Sequence, residues 1–378
     1  MSYHGPMDTT RISVLDLFSG VGGLSYGFEH SDVFQVAAAN EILRPMAEAY
    51  RLNHPNVVMF EGDIHDLDRS ALKSRGIEPK KIEVIVGGPP CQAYSTVGKR
   101  LLDDPRGALF QEYYRLLRDL RPKIFIFENV KGLVSMNQGE LLPTIVKLFE
   151  TLDYKVQFRV LNAADYGAPQ IRERVIIVGT LPGINFQFPD PSHGAPLSIA
   201  NQFPNSLVPW LTLRDAISDL PPIGAGESSL DYSSEPANAF QREMRLNAPK
   251  ILLDHNAASH NKQLLDLIRR IPEGGSPRDI PEQYRPKSGF ANTYCRLWWD
   301  RPSTTVTRNL GTPSSSRCIH PKADRGLTTR EGARIQCFPD SYQFFGSRSE
   351  RNLQIGNAVP TRLSTALSRA LASALSIE

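Results

Sequence analysis

From Ile12 to Thr180 short apolar runs alternate with amphipathic stretches, and this alternation limits the fold more than any other property of the chain. The strand-like runs are Ile12–Phe18, Phe34–Ala39, Val57–Phe60, Glu83–Val86, Ile124–Phe127, Lys155–Leu161 and Val175–Gly179. Helical spacing fills most intervals, over Gly22–Glu29, Arg44–Asn53, Leu109–Leu120 and Leu141–Leu152. Parallel strands need a crossover between them, so this order predicts an α/β fold with a doubly wound, mostly parallel sheet. After Pro182 proline and glycine become frequent and few long helices are readable, which predicts a second, smaller irregular domain. The expected division is 11–189 for the first domain, 190–324 for the second, 325–349 for a hinge segment and 350–378 for a C-terminal return to the first. Helical periodicity reappears over Thr328–Cys337 and in a closing amphipathic helix, Thr361–Ser376.

Composition narrows the function. A chain of 378 residues, 40% hydrophobic, can bury the cores of two domains. It has no run of about 18 apolar residues that would span a membrane. Met1–Arg11 is polar and lacks a secretory apolar stretch. The four cysteines, Cys91, Cys295, Cys318 and Cys337, have no metal-ligand spacing, so no metal is expected; they could pair as disulfides in principle, but a reactive thiol without a signal peptide argues for a reduced cytoplasm. Net charge is only +3, but its distribution is uneven. Asp190–Asn261 holds four Lys/Arg against eight Asp/Glu, whereas Lys262–Arg325 holds twelve against six. That basic block is interleaved with Tyr284, Phe290, Tyr294, Trp298 and Trp299, a texture that suits a phosphate backbone and equally a solvated loop surface.

Several segments carry chemistry. Gly87-Gly88-Pro89-Pro90-Cys91-Gln92 sets one cysteine where a buried strand runs out, and open α/β sheets bind ligands at such ends. The prolines fix the backbone, the glycines leave room, and a thiolate held there is a nucleophile. Asp16–Gly23 contains Phe18, Gly20, Gly22 and Gly23 in a turn that opens the first helix, and Glu41 follows about 20 residues on, as in dinucleotide folds. Asp63 in Gly62-Asp63-Ile64 adds an acceptor suited to an adenine amino group. Glu128, on an apolar strand end, suits a carboxylate that holds a proton near neutrality, or a cap. In Gln170–Arg174, alternation puts Arg172 and Arg174 on one face, for an oxygen-rich ligand or an ion-pair ladder.

Taken in order, these segments resemble the motifs of the cytosine-C5 DNA methyltransferase family. Arg330-Glu331-Gly332-Ala333-Arg334-Ile335-Gln336-Cys337-Phe338-Pro339-Asp340 and Gln354-Ile355-Gly356-Asn357-Ala358-Val359-Pro360 resemble its last motifs. The match omits most of Asp190–Asp324, which has the place of the family's target-recognition domain. The resemblance implies a Rossmann-like fold, S-adenosyl-L-methionine as cofactor with S-adenosyl-L-homocysteine as product, and double-stranded DNA as partner. It implies Cys91 as the nucleophile on cytosine C6, Glu128 at N3 and the exocyclic amine, Arg172 at O2, and Arg174 orienting the loop or touching phosphate. For the cofactor it implies Phe18, Gly20, Gly22, Gly23, Glu41, Asp63, Ile64, Pro90, Leu109, Asn357 and Val359. Gln92–Pro105 reads as a lid carrying Lys99 and Arg100 toward phosphate. Arg296, Arg301, Arg308 and Arg317 are candidate DNA contacts in the second domain. The expected setting is a bacterial cytoplasm, at the nucleoid, as a monomer on DNA, alone or beside a restriction endonuclease acting separately on the same sequence. Competing readings are an RNA substrate, a catalytically dead DNA-binding regulator, and a nicotinamide oxidoreductase. The last leaves Pro90-Cys91 and the arginine pair unexplained. Cys337 stands where the family often has glycine.

Overall fold

The computed structural model describes residues 11–90, 108–195, 207–287 and 290–375. They fall into two compact units. The first runs to Asn162 and adds Glu173–Asp190 and the chain from Leu363 onward. It is built on a seven-stranded sheet: β1 (Ile12–Leu17), β2 (Phe34–Glu41), β3 (Val58–Glu61), β4 (Ile82–Gly87), β5 (Ile124–Val130), β6 (Lys155–Asn162) and β7 (Glu173–Thr180). Their order is β3-β2-β1-β4-β5-β7-β6. Strands β1 to β5 are parallel, while β7 lies antiparallel between β5 and β6. The expected doubly wound, mostly parallel sheet is what forms, and each predicted strand lies within a few residues of its observed limits.

Helices α1 (Gly23–Glu29), α2 (Arg44–Asn53), α3 (Arg69–Ser74), α4 (Ala108–Leu120) and α5 (Leu141–Glu150) provide the crossovers. One sheet face packs on α4 and α5, with Phe110, Tyr113, Phe125, Phe127 and Phe149 forming an aromatic cluster of edge-on and tilted rings. Val14, Val84, Val86, Ile124 and Ile126, of opposite pleat phase, are fully buried on the other face. At Gly27 a Cβ would lie 2.4 Å from the backbone of the chain near Ser364, so only glycine lets α1 approach so closely there.

The second unit comprises Ala163–Arg172 and Pro191–Arg362. It contains α6 (Leu213–Ile217), α7 (Ala239–Met244), α8 (Lys262–Arg270), α9 (Thr329–Ile335), α10 (Arg348–Asn357) and the first turn of α11 (Thr361–Leu375). Capping boxes start α6, α9 and α10. Helix α9 ends in a Schellman turn: Phe338 N–H bonds to Ala333 O and Cys337 N–H to Arg334 O, with Cys337 at φ 64°. A left-handed residue there explains why glycine is the usual occupant.

Polar groups form much of this unit's interior. Arg334 bridges Asp219 (3.0 Å) and Asp340 (2.6 Å), and Arg325 grips Glu331 through two bonds of 2.8 and 2.7 Å. Burial alone would raise the Glu331 carboxyl, but Arg325 and His320 hold it far below its ordinary value. His320 is driven the other way by its own burial, down to about 4 against 6.5, and its Nδ1 accepts from Lys322 N and Ala323 N. A buried neutral histidine contributes full stability above its unfolded pKa and loses it as pH falls from 6.5 through 4. The loss amounts to about 3 kcal/mol at most. His320→Asn, which keeps an acceptor but does not titrate, is expected to flatten the pH dependence of stability in this window. Urea titrations at pH 7, 5.5 and 4 check it, and an unchanged slope would refute the assignment.

Candidate active site

In the first unit β1, β2, β3, β4 and β5 end at one edge of the sheet, and the strand order reverses between β1 and β4. Open α/β sheets bind ligands at this switch point. The turn after β1 takes left-handed backbone at Phe18 (φ 55°), Gly20 (57°) and Gly22 (93°). A Cβ on Gly22 would lie 2.2 Å from His54 Nε2, and His54 is itself held by Glu29, so a wall of side chain excludes any larger residue. A Cβ on Gly20 or Gly62 meets nothing within 4 Å, so both glycines border open space.

Glu41 ends β2 with its carboxylate fixed, Oε2 accepting from Gly20 N (2.9 Å) and Oε1 from Leu43 N (2.7 Å). Burial raises its pKa, and those backbone N–H groups pull the other way. Asn40 stitches the neighbouring ends, donating Nδ2 to Phe60 O and Gly62 O. Asp16, fully buried at the end of β1, has its pKa raised to about 7 by desolvation against a hydrogen bond from Ser25. Its Oδ1 has no partner among the described residues. An orphan acceptor, open glycines and an anchored carboxylate fit a cofactor with cationic and hydroxyl groups.

Beside this crevice, β4 and β5 end in the second half of the site. A Cβ on Gly88 would lie 2.6 Å from Glu128 Oε2, so a larger residue there would push that carboxylate aside. Asn129 Nδ2 donates to Pro89 O at 3.0 Å and anchors the loop that leads to Pro90. Arg174 lies opposite Val130 in the β5–β7 register and its Nε meets Glu128 Oε1 at 2.9 Å. Both side chains are only slightly exposed. The pairing was not legible in the sequence, where Glu128 reads as an isolated acid.

The other expected residues divide sharply. Cys91, Lys99 and Arg100, with the expected lid Gln92–Pro105, lie outside the described residues. Phe18 and Leu109 are half-buried, packed against the core, and Ile64 lies within it. Asp63 and Pro90 are exposed. In the second unit Asn357 is exposed and Val359 buried.

Two of the arginines singled out in the sequence are buried among carbonyls. Arg172 is 1% exposed and donates to the carbonyls of Val306 (2.8 Å), Gly356 (2.8 Å) and Ala358 (2.9 Å). Alternation along a strand set it beside Arg174, but the two fall in different units. Arg296 is likewise buried, donating to the carbonyls of Ile268, Ile271, His320 and Ala323 and pairing with Asp324. Arg317 stacks on Trp298 and bonds to Arg296 O and Gly274 O, whereas Arg301 and Arg308 are exposed. Ile42 escaped the sequence reading: it is 62% exposed, directly follows Glu41 and offers an apolar face. Its exposure beside an anchored acid is visible only in the fold, so no signal in the sequence marks it.

The family model for C-5 cytosine-specific DNA methylase matches residues 12–373. Type II methyltransferase M1.HphI of Haemophilus parahaemolyticus is 36% identical over 95% of this chain and 86% of its own length. Type II methyltransferase M.AgeI of Thalassovita gelatinovora is 34% identical, over 97% of this chain and all of its own. Among solved structures, a DNA modification methyltransferase encoded within an E. coli prophage superposes with TM-score 0.75 at 26% identity, covering 97% of this chain and 100% of that one. The S. pombe Dnmt2 methyltransferase, at 19% identity and TM-score 0.60, shares the fold. The chain belongs to the C-5 cytosine-specific DNA methylase family and is a DNA (cytosine-5)-methyltransferase.

Proposed function

We propose that this enzyme methylates C5 of a cytosine flipped out of a short, specific duplex sequence, by way of a covalent Cys91–C6 adduct. The observation that carries the reading is the Glu128–Arg174 pair packed on Gly88, three residues before Cys91. Cytosine C5 is a weak nucleophile. Bond formation between the Cys91 thiolate and C6 breaks the ring's aromaticity and places electron density on C5. Glu128 holds N3 and the exocyclic amine, and Arg174 stabilises charge on O2. When bound, S-adenosylmethionine supplies the electrophilic methyl group. Once C5 carries that methyl, loss of the C5 proton and of the Sγ–C6 bond restores the aromatic ring and the thiolate. These residues cannot reach a base inside a duplex, so the base leaves the stack.

Arg174 takes the O2 role that the sequence suggested for Arg172, because its guanidinium pairs with Glu128 whereas that of Arg172 is buried among carbonyls. The cofactor is assigned to Phe18, the glycine turn, Glu41, Asp63 and Ile64, with Ile42 added as an apolar face for the adenine ring. Pro90, Leu109, Asn357 and Val359 complete that assignment. Exposed Arg301 and Arg308 in the second unit are assigned to phosphate. A bacterial cytoplasmic setting, monomeric action on DNA and a cognate endonuclease working separately on the same sequence complete the proposal, and the Type II names of the bacterial relatives support the setting and the endonuclease.

Three outcomes test the reading. A duplex carrying 5-fluorocytosine at the target has no C5 proton to lose, so wild type is expected to form an adduct that survives denaturing electrophoresis, and Cys91→Ser none. Adduct with the serine variant, or its absence with wild type, would sink the nucleophile. Gly88→Ala is expected to displace Glu128 and slow single-turnover methylation by roughly a hundredfold, with the melting temperature nearly unchanged. Arg174→Lys is expected to lower kcat by about a hundredfold in a normally stable protein. Arg172→Lys should instead lower the melting temperature, since an ammonium cannot reproduce the guanidinium fork. The opposite pattern would return the O2 role to Arg172.

A further inference from the structure

The turn after β3 holds Asp63 more tightly than an exposed acid needs. Asp63 caps a single 3-10 turn, Ile64–Asp66, its Oδ1 accepting from His65 N at 3.0 Å. The same Oδ1 lies 2.5 Å from His65 Nδ1. Hydrogen bonds from the His65 backbone and ring keep the Asp63 carboxyl below its ordinary value. Both side chains are about half exposed, so neither contact is a by-product of burial. From the other side Arg115 of α4 donates Nη2 to Ile64 O (3.2 Å) and Leu67 O (2.8 Å). Arg115 is in turn held by Glu112 at 2.6 Å and lies 3.8 Å from Asp119. The turn is therefore pinned through its backbone while one carboxylate oxygen is occupied. Oδ2 takes no donor among the described residues.

We propose that His65 is a positioning residue for base selectivity: by occupying Asp63 Oδ1 it presents Oδ2 as a pure acceptor to the exocyclic amine of a 6-aminopurine and against the carbonyl of a 6-oxopurine. This rests on the reading that the adenine end of the cofactor lies at Asp63. The physical point is entropic and directional. An unrestrained carboxylate rotates about χ2 and exchanges its oxygens, whereas one already bonded at Oδ1 keeps Oδ2 and its in-plane lone pairs in one orientation. A 6-oxo group facing that oxygen sets acceptor against acceptor, and the mismatch is penalised more as the carboxylate is held more firmly.

Calorimetry on the full chain with S-adenosylhomocysteine and S-inosylhomocysteine tests this in wild type, His65→Ala, His65→Asn and Asp63→Asn. His65→Ala is expected to narrow the ratio of the two dissociation constants by about tenfold, chiefly through weaker adenosyl binding. His65→Asn, whose short amide can still donate, should recover much of the ratio. Equal weakening of both ligands by His65→Ala would mean that His65 only supports the local fold, and would overturn the proposal. Tighter adenosyl binding would overturn it too, by showing His65 to be a competitor. If Asp63→Asn leaves the ratio as in wild type, the adenine assignment itself fails. If Asp63→Asn collapses the ratio while His65→Ala does not, the assignment stands and His65 has no part in it.

Discussion

At Gly88 the backbone leaving β4 lies so close to the Glu128 carboxylate that a Cβ would have to push it aside, and the ends of β4, β5 and β7 meet around that contact. The acid packs at the start of the loop that leads to Pro90. Asn129, the next residue on β5, bonds to Pro89 O and fixes the same loop from below. The third member arrives because β7 runs antiparallel to β5, a departure from the parallel rule that brings the start of one strand to the end of the other. Val130 and Arg174 become neighbours in register, and the guanidinium closes on the carboxylate. A parallel strand in that place would have delivered its C-terminal end instead.

The second unit is held by different means. Arginines 172, 296, 325, 330 and 334 are buried, and most of their bonds go to backbone carbonyls or to carboxylates that are themselves buried. Such groups are expensive to desolvate and strongly destabilising to break singly. In return each guanidinium binds several strand-poor segments in one planar geometry, which apolar contacts cannot specify. One apolar cluster here, Ile268, Ile271, Ile280 and Ile319, is small beside that of the first unit, and residues such as Leu213, Phe240, Leu310 and Phe338 are buried as well.

Legibility in the sequence followed this contrast. Strands of the first unit announce themselves because parallel strands buried on both faces read as continuous apolar runs. Their ends could be located, and with them Glu41, Asp63, Gly88 and Glu128. Helix α10 was not read, since Arg348–Asn357 has little apolar periodicity and starts on the capping box of Ser347 and Glu350. The burial of Arg172 and Arg296 was not legible for a related reason. Charge in a sequence suggests solvent or an anionic ligand, and nothing local distinguishes an arginine whose acceptors are carbonyls of distant residues, as Val306 O is for Arg172 and His320 O for Arg296. Ile42 and His65 were missed because neither is unusual until its neighbour's orientation is known.

The carbonyls around Arg296 belong to Ile268, Ile271, His320 and Ala323, and a carbonyl is the same whatever side chain its residue bears. A framework wired through the main chain therefore tolerates turnover of the residues that supply its acceptors, provided the arginine stays. Surface loops hung on it can change without renegotiating the interior. Tolerance of loop change within one scaffold is then a consequence of where the hydrogen bonds end, on atoms that mutation cannot remove.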